Sequence, residues 1–284
     1  MSRNLIPAQR RREIEDYLQA HQIARSSDLC ELLDASEATI RRDLEALEED
    51  GILERTHGGA VLTQRLPTEP AYASSALAHP DEKRWIGREA AARVNDGDTV
   101  FLNSGTTTAQ IAAHLSQRSD LKNVTVITNS LSATLEISGS GIEVLLLGGA
   151  FRPLANSTFG PFVTVQLRQV SADMAFIGVD GMTLKYGCTT PASPEAEIAQ
   201  MMIERTRGLV LAAADHSKWG VVSNFEIARW DQIYGLICDQ GLALEARAAL
   251  QARSLHVWIA GPEPIAGAGG GKDSLAERSN VAVR

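Results

Sequence analysis

Within residues 36–47, SEATIRRDLEAL, the apolar positions Ile40, Leu44 and Leu47 recur at spacings of four and three. That spacing places them on one stripe of a helix. Ser36 stands just ahead of the stripe, where its hydroxyl can accept an unpaired first-turn N–H and cap the helix. Upstream, SSDLCELL at 26–33 reads as a second short helix, separated from the first by Asp34-Ala35. Pro7 opens a further helix to about His21, with Ile14, Tyr17 and Leu18 inward. Gly51 suits a left-handed C-cap. Beyond it ILERT at 52–56 alternates as a strand, HGG at 57–59 turns, and AVL at 60–62 can return as the partner strand. Helix, turn, capped helix and hairpin together predict a winged helix-turn-helix over residues 1–61.

The pattern lapses over residues 62–80, where Pro67, Pro70 and Pro80 punctuate a linker with a short helix at 71–77. A helix over 81–94 follows, with Ile86, Ala90 and Val94 inward. From there apolar runs alternate with helical segments. Strands are expected at 99–102, 124–128, 143–147, 174–179, 209–213, 232–238 and 255–259, and helices at about 106–116, 130–138, 194–206 and 241–252. Such alternation predicts a mostly parallel, Rossmann-like α/β sheet over residues 81–261. Its strands are apolar on both faces and therefore covered on both sides. Residues 262–284 are rich in glycine, then polar, and read as a disordered tail.

Composition narrows the function. A 44% hydrophobic content is enough for a substantial core, and no apolar run of about 18 residues predicts a membrane span. The N-terminus lacks the apolar region of a signal peptide. Cys30, Cys188 and Cys238 are scattered without metal-ligand spacing, which predicts reduced thiols in a cytoplasmic protein with no metal and no cofactor. The net charge of −8 runs against nucleic-acid binding, and residues 1–65 hold nine arginines and no lysine against thirteen acids. DNA binding therefore rests on placement. Arg10, Arg11, Arg12, Arg41, Arg42 and Arg55 can form one basic face, with the acids at 45–50 beyond it. Modest non-specific affinity implies that tight binding needs a dimer or larger oligomer.

Two sets of candidate residues carry chemistry. On the capped helix, Ser36, Glu37, Ala38, Thr39, Arg41 and Arg42 lie off the buried stripe, and Arg55 and His57 fall near the wing tip. A threonine hydroxyl and methyl can meet base edges, and guanidinium groups can meet phosphate or guanine in double-stranded DNA. In the second half nearly every strand ends in small or polar residues: Asn103, Ser104, Gly105, Thr106, Thr107 and Thr108; Asn129 and Ser130; Gly148 and Gly149; Asp180 and Gly181; Asp215 to Lys218. In an open α/β sheet these ends converge on one crevice. A glycine turn with hydroxyls at a helix start favours an anion such as phosphate, although a plain capped helix start has the same look. Asp180 can accept sugar hydroxyls, or simply make a turn before Gly181. Lys218 can meet a phosphate, or lie in solvent. Glu195 and Glu197 open a helix, where acidic charge is favoured in any case, and Glu197 is a candidate ligand contact. The loop 186–191 is placed to cover the crevice.

The run SEATIRRDLEALEEDGILERTHGGAV resembles the signature of the DeoR family of bacterial transcriptional regulators. In order, NSGTTT, TNS, LLLGG, GVDG, GCTTP and ADHSKWG resemble the sensor domain of that family, which is related to ribose-5-phosphate isomerases and CoA transferases. The resemblance implies a repressor of a carbohydrate-catabolism operon, released from its operator by a phosphorylated sugar or related metabolite. The position of Asn103 is usually aspartate in such relatives; asparagine keeps the shape and drops a charge, which suits a more anionic ligand. The alternative is a sugar-phosphate isomerase-like enzyme with an appended DNA-binding arm, for which Asp180 and Asp215 are candidate bases. No paired carboxylates stand at the Asn103 loop to favour it. A plain oligomerisation module leaves the hydroxyl-rich strand ends without a purpose.

Overall fold

The computed structural model describes residues 5–21, 23–56 and 58–262. The N-terminal part is built from α1 (Pro7–His21), β1 (Ile23–Arg25), α2 (Ser26–Leu33), α3 (Glu37–Glu49), β2 (Leu53–Thr56) and β3 (Gly59–Leu62). Ile14, Leu18, Leu29, Leu33, Ile40, Leu44 and Leu47 close one core between the three helices and the hairpin. Ser36 caps α3, its hydroxyl accepting the Thr39 N–H at 3.3 Å. Gly51 takes the left-handed conformation expected of it, with φ 72°. β1 is an addition to the sequence reading: it pairs antiparallel with β3 and completes a three-stranded sheet in the order β1-β3-β2.

Arg10 departs from the expected basic face. Its guanidinium clamps the Asp43 carboxylate of α3 through two nitrogens and donates to the Leu5 carbonyl at 3.0 Å. Asp43 is buried, so Arg10 ties α1 to α3 and is withdrawn from any phosphate.

After β4 (Gln64–Arg65) and α4 (Tyr72–Leu77) comes the second part. Its elements are α5 (Pro80–Ala91), β5 (Thr99–Leu102), α6 (Thr106–Ser116), β6 (Thr125–Thr128), α7 (Leu131–Ile137), β7 (Glu143–Leu146), β8 (Ala150–Arg152), β9 (Ser157–Phe159) and α8 (Pro161–Gln169). Then follow β10 (Ala172–Gly178), β11 (Gly181–Thr183), β12 (Gly187–Thr190), α9 (Ser193–Glu204), β13 (Thr206–Ala213), β14 (Val221–Val222), β15 (Phe225–Ala228), β16 (Gly235–Asp239), α10 (Leu244–Gln251) and β17 (His256–Ala260). Seven strands form one parallel sheet in the order β17-β16-β13-β10-β5-β6-β7. All seven expected strands are in it, and the sixth starts late because Trp230–Gln232 is a 3-10 turn. Alternate residues face two cores: Phe101, Ile127, Ala175 and Ile177 pack on one side, Val100, Leu102, Val126 and Phe176 on the other.

The stretch 62–80, expected as a linker, is held in place. β4 pairs in parallel with β14, the Gln64 N–H donating to the Gly220 carbonyl at 2.8 Å and Leu66 to Val222 at 2.9 Å. The Tyr72 N–H donates to the Leu154 carbonyl at 2.8 Å. The wing also touches the second part directly: the Leu184 N–H, between β11 and β12, donates to Glu54 Oε2 at 2.8 Å. Arg25 reaches Glu245 of α10. The tail expected over 262–284 lies, from 263 onward, outside the described residues.

Burial raises the Glu54 carboxyl above the usual carboxylate range, against the opposing pull of the Leu184 and Lys185 N–H groups. A raised pKa means that the folded protein holds the proton more tightly than the unfolded chain. The contribution to stability is then full below the unfolded value, about 4.3, and falls as pH rises through the folded one. Glu54→Gln keeps an acceptor for Leu184 and removes the charge. The variant is expected to melt at or above the parent near pH 7, with the difference closing towards about pH 4. A lower melting temperature near neutrality would show that the ionised carboxylate is favourable there.

Candidate functional site

The exposed face of α3 and the crevice at the strand ends are built by different means. On α3, Ser36, Glu37, Ala38, Arg41 and Arg42 are exposed and Thr39 is half-buried. The buried stripe of Ile40, Leu44 and Leu47 turns them outward. Arg41 Nε lies 3.1 Å from Glu45 Oε1, and Arg55 Nη1 donates to the same oxygen at 3.0 Å. The hydrogen bond from Arg41, first, and the Arg55 charge hold the Glu45 carboxyl below its usual range. Arg55 thus rests on the C-terminal half of α3, not at the wing tip, because the acids that follow the stripe attract it; its own N–H donates to Glu48 Oε1 at 3.0 Å. His57 lies outside the described residues. The pairing of Arg41 is exposed and of the kind worth little in water, so a phosphate can take the place of Glu45.

The crevice is a single cavity at the C-terminal ends of β5 and β10, lined by Asn103, Ser104, Gly105, Thr106, Thr107, Gly178, Asp180 and Lys218, together with Glu69, Lys83, Thr190 and Glu195. Gly105 bridges β5 and α6 with φ 151°, a conformation that side chains rarely adopt. The first-turn N–H groups of α6 have no partners within the helix and end at the cavity. Asn103 is buried and closes a two-way hydrogen bond with one residue: Gly178 N–H donates to Oδ1 at 2.7 Å, and Nδ2 donates to the Gly178 carbonyl at 2.9 Å. The side-chain amide thereby extends the β5–β10 ladder by one rung. An ionised aspartate there has no proton to offer that carbonyl, so asparagine fits this backbone for a reason separate from ligand charge. Asp180 Oδ2 accepts the Thr190 hydroxyl at 2.7 Å. Lys83 is buried and donates to the Ser75 and Ala78 carbonyls at 2.6 and 2.5 Å; burial lowers its pKa.

Seven of the sequence candidates stand elsewhere. The Thr108 hydroxyl is turned back onto the Asn103 carbonyl at 2.8 Å. Asn129 is buried and its amide holds the Thr158 carbonyl at 3.0 Å, while Ser130 caps α7 by accepting from Ala133 at 3.2 Å. Gly148 is exposed and exchanges hydrogen bonds with Gln166 of α8. Gly149 and Gly181 are close-approach positions, where a Cβ would stand 2.5 Å from the Phe159 oxygen and 2.4 Å from the Val221 oxygen. Glu197 faces solvent, because the frame of α9 turns Glu195 inward in its place.

Glu195 is the acid that sequence reasoning passed over. Its Oε1 accepts Arg152 Nη1 at 2.8 Å and the Ser157 hydroxyl at 2.7 Å, and its Oε2 accepts the Ser104 hydroxyl. Arg152 also pairs with Glu69, whose carboxyl burial pushes up. The signal was available for Glu195 only: it is spaced from Ile198, Ala199 and Met202 as one helix face, whereas Glu197 is not. Nothing in the sequence brings Glu69 or Arg152 to this place.

Residues 10–65 match the family model for the DeoR-like helix-turn-helix domain, and residues 78–240 that for the DeoR C terminal sensor domain. The chain is 36% identical over 228 residues to the HTH-type transcriptional repressor GlcR of Bacillus subtilis, covering 80% of this chain and 86% of that protein. It is 31% identical over 253 residues to the HTH-type transcriptional regulator GlpR of Haloferax volcanii, covering 89% and 98%. Among solved structures, ribose 5-phosphate isomerase A of Methanocaldococcus jannaschii aligns at 19% identity with a TM-score of 0.38, over 50% of this chain and 55% of that one. No helix among the described residues is long and apolar enough to cross a membrane. A capped, outward-facing α3 with its wing, a sensor cavity at the strand ends, and both family models in one chain lead to one assignment: the protein belongs to the DeoR family of DNA-binding transcriptional regulators.

Proposed function

We propose that this regulator represses a carbohydrate-catabolism operon and leaves its operator when a phosphorylated sugar or related metabolite fills the cavity. The observation that carries this reading is the convergence of the Ser104–Gly105–Thr106–Thr107 turn, Lys83 and Lys218 on one concavity. A helix start and two ammonium groups suit a phosphate, while Asp180 and Glu69 suit sugar hydroxyls. Lys218 is followed by β14, which pairs with β4, the strand next after the wing. The Asp180–Thr190 contact belongs to the β11–β12 region that holds Glu54. Ligand that moves either segment is thus coupled by hydrogen bonds to the DNA-binding part, backbone to backbone at β4–β14 and from the Leu184 N–H to the Glu54 carboxylate at β11–β12. It acts as an inducer only if it binds the DNA-incompetent arrangement more tightly, with a coupling of about 1–3 kcal/mol being typical.

A thermal-shift screen against phosphorylated sugars identifies the ligand, with stabilisation of about 2.7 kcal/mol at a hundredfold excess over its Kd. Thr106→Glu places a carboxylate where the phosphate would lie. The variant is expected to bind DNA selected from a random pool as the parent does, and to ignore the inducer. Normal ligand affinity by calorimetry would remove this turn from the phosphate site. Arg42→Ala is expected to weaken binding to the same DNA by about 1–3 kcal/mol if the guanidinium reads a guanine. Unchanged fluorescence anisotropy in both Arg41→Ala and Arg42→Ala would end the recognition-helix reading.

The acting form in this reading is at least a dimer, joined through the sensor part. Leu135, Phe151, Leu154, Phe162 and Val165 are exposed on α7, α8 and around the β8–β9 hairpin, beside the edge strand β7 with its exposed Leu145 and Leu146. Apolar exposure of this kind marks association surfaces. Sedimentation of the full chain carrying Phe162→Asp tests it.

A further inference from the structure

His79, Asp215 and His216 each bring a metal-ligating atom to within 4.8 Å of the others. His79 immediately precedes α5, and Asp215-His216 follow β13, so the fold alone unites them. Asp215 is fully buried, and its two oxygens are treated differently. Oδ1 accepts from the Ser217 N–H at 3.1 Å and from the Ser217 hydroxyl. Oδ2 is buried with no hydrogen-bond partner. The Lys83 ammonium forms an ion pair with it at 3.9 Å, beyond hydrogen-bond reach, and directs its protons to the Ser75 and Ala78 carbonyls. A buried carboxylate oxygen without a donor is rare and costly, and a metal ion bonded directly to it resolves it.

His216 is oriented for the same purpose. Asp239 is buried; its Oδ1 lies 2.8 Å from His216 Nδ1, and its Oδ2 accepts the His216 N–H at 2.7 Å. The Gly241 N–H donates to Oδ1 at 2.8 Å. A carboxylate acceptor at Nδ1 draws the ring proton there and leaves Nε2 with its lone pair. That is the outer-shell arrangement that orients metal-bound histidines. The His79 ring meets that of His216 edge-on, with centroids 4.9 Å apart, and its Nδ1 is 3.9 Å from Glu82 Oε1.

We propose that His79, Asp215 and His216 form a binding site for one divalent transition-metal ion, Zn²⁺ best fitting the donor set. Two imidazoles and a carboxylate favour such ions over Mg²⁺ or Ca²⁺, which want oxygen alone. Three protein ligands leave a fourth position for water. Small side-chain rotations bring the donors to bond lengths of about 2.0–2.2 Å. The ion ties the start of α5, which carries Lys83, to the turn that carries Lys218, and so sits behind the basic side of the cavity without occupying it.

The test uses the full chain stripped of metal by a chelator and titrated with Co²⁺, followed by visible absorption, with Zn²⁺ as competitor and Mg²⁺ in parallel. The expected result is one equivalent per chain with the intense bands of a four-coordinate site, displaced by Zn²⁺ and untouched by Mg²⁺. His79→Gln and His216→Asn are each expected to weaken Co²⁺ at least tenfold, and Asp239→Asn about 10–100-fold through loss of orientation. His256→Gln, on the edge strand β17, is expected to leave affinity unchanged. Metal-free melting curves report folding, and His79→Gln, at a half-exposed residue, serves if the His216 variant does not fold. Absence of binding, affinity unchanged in His79→Gln, or an equal loss in His256→Gln overturns the site.

Discussion

Replacing Asp43 by alanine is expected to remove about 3–5 kcal/mol from the stability of the winged helix, the usual cost of taking one partner from a buried ion pair. Arg10 and Asp43 have side-chain exposures of 13% and 6%. Without the carboxylate, the guanidinium keeps only the Leu5 carbonyl and has little water around it. Its two nitrogens now facing Asp43 then meet a cavity. Domains of this size are stable by only about 5–15 kcal/mol, so the loss reaches DNA binding even though Asp43 faces away from the exposed side of α3. Arg10→Ala is expected to cost similarly, and the pair of changes together less than their sum, because neither charge is then stranded. Thermal unfolding of the three variants measures this. A cost below about 1 kcal/mol for Asp43→Ala would place the pair among surface contacts and return Arg10 to the candidates for phosphate.

The second large effect is expected at Glu195. Glu195→Ala strands Arg152 against Glu69 alone and leaves the Ser104 and Ser157 hydroxyls without their shared acceptor. Loss of a buried charge partner costs about 3–5 kcal/mol, less what Glu69 recovers. Glu197→Ala, two residues on and exposed, is expected to change stability by no more than about 0.5 kcal/mol. Melting both variants decides between them. Equal, small effects would mean that Arg152 and Ser104 are held without Glu195, and that the frame of α9 assigned here is wrong. Glu195→Gln refines the result. An amide oxygen can still accept from Arg152 or Ser157, so its cost is expected to fall between the other two.

The two acids also show where reading the chain stops. Ser-Pro-Glu-Ala-Glu opens a helix in either reading, and an acid in the first turn is favoured whichever way it points. The face shared with Ile198, Ala199 and Met202 separates Glu195 from Glu197, but only tertiary packing decides that the inward acid meets Arg152, Ser157 and Ser104. The same holds for Arg10, which in the sequence is one of three arginines at a helix start. Its partner is 33 positions away, and no local period announces it. The strands β8, β9, β11, β12, β14 and β15 and the helix α8 escaped for a related reason. The strands are two to four residues long, too short to carry a period, and are held by partners from other parts of the chain.

The sequence by itself determined the two-part order of winged helix and α/β unit, the capped α3 with its outward arginines, all seven strands of the parallel sheet, and the turn at 103–108 as the place where a cavity would open. These are local matters: apolar spacing, a cap, glycine where the backbone must turn. Tertiary structure alone decided which polar side chains face that cavity and which are used up within the fold. Thr108 and Ser130 resemble ligand contacts in sequence, yet their hydrogen bonds go to backbone, because a buried polar group must find a partner and the nearest one was the chain itself. Glu69, Lys83 and Arg152 carry no motif and reach the site because the β4–α4 connection, the start of α5 and the β8–β9 hairpin dock there. Hydrogen bonds from Arg152 to Glu195 and Glu69, 43 and 83 positions away, settle where the hairpin and the β4–α4 connection meet, and no short window along the sequence contains both ends of such a bond.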